Sequence, residues 1–172
     1  MLDRRSFLCL LSVAPLALSG CGASQGDEAP EATTGGEEQT TGVPNPFVDC
    51  ESAYDVAQLA GFDVTFPESV PGCSERAYQA IEGQLAQCRY SEGDTSVLIR
   101  KGVDDGSGDL SGDYNEYPEE ATVSVGDLEV TERGSDGLVF VAIWAKDGYL
   151  YAIDADGGLD PETIANLVNA TL

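Results

Sequence analysis

Five short turn sequences cut most of this chain into apolar runs, and their spacing limits the fold more than any other feature. Glu82-Gly83, Gly93-Asp94, Gly126-Asp127, Asp136-Gly137 and Asp147-Gly148 separate strand-like segments at Arg76 to Ile81, Gln84 to Tyr90, Thr95 to Lys101, Ala121 to Val125, Leu128 to Glu132, Leu138 to Ala145 and Tyr149 to Asp154. Gly and Asp tolerate the positive φ that tight hairpin turns require, so such pairs between apolar runs signal antiparallel neighbours. The pattern predicts an antiparallel meander of six to seven strands. Ala121, Val123 and Val125 alternate with polar residues, as in a sheet with one wet face. Leu138 to Trp144 is apolar throughout, which predicts a central strand covered on both sides.

Two helices complete an α+β fold. Ser52 caps a short helix reaching Ala60, with Asp55 at its third position, Val56, Ala57 and Ala60 on one face and Gly61 as the stop. Near the end of the chain Asp160 is a cap and Pro161 fits the first turn, while Ile164, Leu167 and Val168 form one stripe. Both helices are expected to pack on the sheet.

The first 21 residues read differently. Arg4 and Arg5 precede an apolar run from Phe7 to Leu18, which is too short to cross a bilayer, since a spanning helix needs about 20 apolar residues. It fits the core of a signal peptide. Leu18-Ser19-Gly20-Cys21 resembles the lipobox of bacterial lipoproteins, in which the cysteine thiol takes a diacylglyceryl group and becomes the mature N-terminus. Two acyl chains give stable anchoring, because each buried methylene adds about 0.8 kcal/mol. The alternative is an ordinary signal peptide with a chance cysteine. Asp3-Arg4-Arg5-Ser6-Phe7-Leu8 also resembles the twin-arginine export motif, although two arginines also serve as the positive start of any signal. Both routes lead to the extracytoplasmic face of the cell membrane, and the membrane is the expected partner through the lipid.

Residues 22–46 are dominated by Gly, Thr, Glu, Gln, Ala and Pro, with Val43 as the sole large aliphatic. Such a segment buries too little apolar surface to offset roughly 1 to 2 kcal/mol of backbone entropy per ordered residue. It is expected to be a disordered acidic tether. Residues 47–172 are then enough for one globular domain.

Charge and composition exclude several functions. The chain has 31 acidic and 8 basic residues, a net charge of −23 at pH 7. Beyond the signal the basic residues are Arg76, Arg89, Arg100, Lys101, Arg133 and Lys146, against every acid except Asp3. Nucleic-acid binding rests on Lys and Arg neutralising phosphates, and anionic headgroups repel such a surface. No nucleic acid is expected as partner. There is no histidine, which removes Ser-His-Asp, Cys-His and His-metal sites. No catalytic residue and no cofactor is expected, since carboxylate pairs at suitable spacing arise by chance in so acidic a chain.

Asp105, Asp109, Asp113 and Glu116 match the length of a twelve-residue calcium loop, but Leu110 and Gly112 stand where such a loop wants Gly and an apolar residue. The competing reading is a solvated Gly/Asp loop fixed by Tyr114 and Tyr117 packing on the sheet. With Cys21 lipidated, Cys50, Cys73 and Cys88 remain in an oxidising compartment, and Cys73 with Cys88 closes the shorter loop as a candidate disulfide. A two-residue turn at Glu82-Gly83 instead places Ala77 opposite Cys88. Tyr78, Tyr90, Tyr114, Tyr117, Trp144, Tyr149 and Tyr151 are ordinary packing residues or the lining of a ligand groove.

Three stretches carry a family resemblance: Asn45-Pro46-Phe47 with Ala57 to Phe62; Arg100-Lys101-Gly102 followed by Asp109 to Tyr117; and Trp144 to Ile153. Over roughly residues 45–172 the chain resembles a family of uncharacterised bacterial lipoprotein domains of unknown function. Those domains are also found behind anti-sigma-like membrane segments and are distantly similar to lipoprotein-sorting and sigma-regulating sensors. The resemblance implies an antiparallel sheet with packed helices and no activity. The expectation is a non-catalytic binding or interaction module at the cell surface. The alternative is a carrier or sensor enclosing a hydrophobic ligand between sheet and helix.

Overall fold

The Asp-Gly pairs form the hairpins that their chemistry favours. Asp136 and Asp147 adopt positive φ of 56° and 52°, each followed by a positive-φ glycine, and the flanking pairs Ser135 with Leu138 and Lys146 with Tyr149 close two-residue turns. The computed structural model describes residues 45–172. Arg4, Arg5, Cys21 and the tether as far as residue 44 lie outside the described residues.

Eight strands form one antiparallel sheet: β1 (Val48–Cys50), β2 (Glu75–Ile81), β3 (Leu85–Glu92), β4 (Thr95–Val103), β5 (Glu119–Val125), β6 (Leu128–Ser135), β7 (Leu138–Lys146) and β8 (Tyr149–Leu159). Their order across the sheet is β1-β2-β3-β4-β8-β7-β6-β5. This corrects the expected single meander of six to seven strands in two respects. A three-residue strand, β1, adds to the count at one edge. The sheet also consists of two meanders joined by the pairing of β4 with β8, so the chain must cross over between β4 and β5.

The helix α1 (Ala53–Ala60) starts at Ser52, whose side chain accepts from the Asp55 amide. It stops at Gly61, whose N–H donates to the Ala57 carbonyl from a φ of 78°. In α2 (Pro161–Ala170) the Asp160 carboxylate accepts from the Thr163 amide at 2.9 Å, and Ile164, Leu167 and Val168 are buried, as the stripe predicts. α1 lies over β2 and β3, and α2 over β5, β7 and β8. Both cover the same face, where Val56, Ala60, Ile99, Ile153, Ile164 and Val168 join one continuous core. No helix among the described residues is long and apolar enough to cross a membrane.

The opposite face of β7 and β8 is covered by residues 104–118, the segment that carries the chain from β4 to the far edge. Leu110 and Tyr117 from this segment pack with Phe140 on Val141, Ile143 and Ala152. This accounts for the apolar run in β7, which has α2 on one side and an irregular segment on the other. The strand also bulges. Arg133 pairs with Val141 and Gly134 with Val139, so Phe140 is passed over and points with Val141 to the crossing-segment side. Gly134 is essential to that bulge, because a Cβ there would stand 2.0 Å from the Leu138 carbonyl oxygen.

Candidate functional site beneath the crossing segment

Two arginines hold the crossing segment to the sheet. Arg100 on β4 donates from Nε to Gln87 Oε1 at 2.9 Å and from Nη1 to the carbonyls of Leu110 and Ser111 at 3.1 and 2.6 Å. Gly112 makes this contact possible, since a Cβ would stand 2.6 Å from Nη1. Arg133 on β6 pairs with Asp109 at 2.6 Å, and the buried Ser111 hydroxyl donates to the same carboxylate at 2.6 Å. Burial pushes the Asp109 carboxyl up, but its hydrogen bonds from Ser111 and Arg133 outweigh that and hold it below the usual carboxylate range. Gln87 also donates to Gln79, and Gln79 to Asp49, so a polar ladder runs over β1, β2 and β3 to the arginine.

Beyond the anchored part the segment stands off the sheet and leaves an open cleft of about 580 Å³. Asp113, Tyr114 and Tyr117 line it from the segment, Phe140 from the β7 bulge, and Asp154 and Asp156 from β8. Tyr117 stacks on Phe140 with ring centroids 5.4 Å apart and donates its hydroxyl to Asp113. Tyr114 is 96% exposed, so of the two tyrosines expected to fix this loop only Tyr117 does so.

Asp154 is the outlying carboxylate. Desolvation pushes it up to about 6, helped by the charges of Asp113 and Asp156 and opposed by Arg100 and Arg89. Asp156 accepts from Ser96, which in turn accepts from Arg89. No such donor reaches Asp154 among the described residues.

The residues of the calcium-loop reading are dispersed. Asp105 accepts from the Ser107 amide, Asp109 pairs with Arg133, Asp113 accepts from Tyr117 and the Asn115 amide, and Glu116 is exposed. Among the described residues no group of three or more such side chains comes together to hold a metal ion.

The expected Cys73–Cys88 bond is not formed, and Cys50, Cys73 and Cys88 are all free. The β2–β3 turn takes one residue more than a two-residue hairpin, so Tyr78 rather than Ala77 lies opposite Cys88. Cys73 precedes β2, whose first residue pairs with Ser91, well along the strand from Cys88. A disulfide needs Cα atoms within about 7 Å. Cys50 is opposite Tyr78 from the other side, with β2 between it and Cys88. Burial pushes the Cys88 thiol up to about 11, which makes it a poor nucleophile.

The remaining aromatics mostly serve packing. Trp144 stacks on Tyr151 at 5.2 Å in the helix-side core. Lys101 places its ammonium 4.3 Å from the Tyr149 ring centre and 5.4 Å from that of Phe62, and donates to the Asp63 carbonyl at 2.6 Å. This cation–π cluster is occupied by the chain's own lysine and ties the segment after α1 to the sheet. The sequence signal for Asp154 and Asp156 is two acids at alternate positions in an otherwise apolar strand, whereas Phe140 is one apolar residue in an apolar run and carries no signal of its own.

The chain matches no family model, no curated protein and no solved structure.

Proposed function

We propose that this protein is an exported lipoprotein, anchored by diacylglycerol on Cys21 at the extracytoplasmic face of a cell membrane. Its folded domain is a non-catalytic binding module. The anchor rests on the short apolar run after Arg4 and Arg5 and on Leu18-Ser19-Gly20-Cys21. With 25 acidic and 6 basic residues over 47–172, a balance of 6 − 25 = −19, the domain is repelled by anionic headgroups, so the acyl chains alone hold it to the membrane. Twin-arginine export, which carries folded proteins, suits a domain of this kind.

The observation that carries the binding reading is the cleft of about 580 Å³ under a segment pinned by Arg100 and Arg133. Its volume is in the range of small-molecule sites, and the segment that walls it is held in place by hydrogen bonds from the half-buried Arg100 and Arg133. A carrier of a hydrophobic ligand between sheet and helices has less support. Val56, Ile99, Ile153, Ile164 and Val168 are each 0% exposed, which leaves no room beside them for even a water-sized guest.

Two measurements test the proposal. Intact mass of protein taken from membranes is expected to show a diacylglyceryl-sized addition that is lost in Cys21→Ala. Soluble, unmodified wild type would overturn the anchor. Fragment screening by ¹⁵N spectra is expected to shift amides at Gly112 to Tyr117 and Asp154 to Asp156. Shifts confined to other surfaces would overturn the choice of cleft.

A further inference from the structure

We propose that the cleft takes a small organic cation: a protonated amine that sets its charge on the Asp154 carboxylate and lays an aromatic or aliphatic body against the Tyr117–Phe140 stack. This names the ligand class of the binding module and rests on that reading.

The argument starts from partners. Asp113 is engaged by Tyr117 and Asn115, and Asp156 by Ser96. Arg100 is committed to Gln87 and two carbonyls, and Arg89 donates to Ser96. Asp154 is left half-buried in the middle of β8, facing the cleft beside two like charges. A carboxylate taken out of water without a donor is costly, and a cationic guest relieves that cost.

The kind of cation follows from the wall. No three acids among the described residues converge on a point where a metal ion would sit. The site offers one unpaired carboxylate next to ring faces, and ring faces attract organic cations. Tyr114, 96% exposed at the rim, adds a further ring. The volume, about 580 Å³, admits a bicyclic amine with space for water. Anions meet three carboxylates and are repelled.

Acidification sharpens the expectation. Asp154, with a carboxyl pushed up to about 6, is ionised at pH 7.5 and mostly neutral at pH 5. The charges facing it are Asp113 from the crossing segment, Asp156 from β8, Arg100 from β4 and Arg89 from β3.

The experiment titrates tryptamine, and separately indole-3-propionate, into the full chain, followed by calorimetry and ¹⁵N spectra. Tryptamine is expected to shift Asp154 and Tyr117, to weaken about tenfold between pH 7.5 and 5 as the carboxylate is neutralised, and to weaken comparably in Asp154→Asn. Indole-3-propionate is expected not to bind. Asp154→Asn removes an unpaired charge, and an unchanged or raised thermal midpoint confirms its fold. The inference is overturned if indole-3-propionate binds the cleft as well as tryptamine, if Asp154→Asn binds tryptamine like wild type, or if calcium produces the same shifts. In those cases the cleft still binds and the module reading stands. If tryptamine and every fragment leave the cleft amides unmoved, both fall.

Discussion

The two faces of this sheet are held by different forces. On one face α1 and α2 press Val56, Ala60, Ile164 and Val168 onto Ile99 and Ile153, and stability comes from apolar area removed from water. On the other a segment without regular structure crosses β7 and β8, fixed at points by polar contacts from Arg100, Arg133 and Ser111 beside a small apolar cluster of Leu110, Tyr117 and Phe140. Burial spread over many atoms has no directional preference and leaves no space. A handful of directed hydrogen bonds holds a backbone at fixed points and leaves it standing clear between them. The cleft belongs to the second face for that reason.

Substitutions on each face separate these modes of support. The largest effect is expected from Ile164→Ala, which empties fully buried volume on the helix face and should cost about 2 to 5 kcal/mol in urea unfolding, with no change of slope. Equal loss from exposed Leu172→Ala would contradict the assignment of stability to that core.

Arg100→Ala leaves Gln87 and the carbonyls of Leu110 and Ser111 without their donor, at roughly 1 to 3 kcal/mol. The loss should be local. Hydrogen exchange is expected to rise across 104–118 while β3 and β8 keep their protection, and a uniform rise would show that the two faces are not separable.

The smallest effect has the opposite sign. Asp154 is pushed up from 3.8 to about 6 by folding, so its contribution to stability is fully present below pH 3.8 and is lost as pH rises through about 6. With allowance for solvent screening of a half-exposed group, Asp154→Asn should be about 1 to 2 kcal/mol more stable than wild type at pH 7, and the gap should vanish near pH 4. A constant gap across that range would remove Asp154 as its cause.

The helix face was the more legible of the two. Caps at Ser52 and Asp160 and the stripe Ile164, Leu167, Val168 are local signals, and the seven strands from β2 to β8 follow from turn chemistry next to apolar runs. The strand β1 gave no such signal, since Val48 to Cys50 is too short to show alternation and its residues are largely exposed. Strand order was not legible either. Placing β5 at the far edge depends on the path of residues 104–118, and the Gly/Asp composition there says only that the segment is not a strand or a helix. The stretch from Arg100 to Tyr117 stands out in the sequence as a unit, but its physical role lies in contacts that only the fold makes: Arg100 grips the backbone of the segment and Tyr117 closes on Phe140. Asp154 was hidden because it reads as the polar end of an apolar strand. One register shift between β7 and β8, from Val141 opposite Asp154 to Val139 opposite Leu159, leaves four β8 residues without β7 partners and carries that strand onward to Leu159.

The pairing of β4 with β8 also sets the order of assembly. These central neighbours are roughly 50 residues apart along the chain, so their ladder closes a long loop, a slow step compared with forming the hairpins on either side. β8 follows every other strand in the chain and yet lies beside β4 in the middle of the sheet. The blocks β1 to β4 and β5 to β7 therefore each keep an open inner edge until β8 joins them, and an open strand edge is a template for wrong pairing.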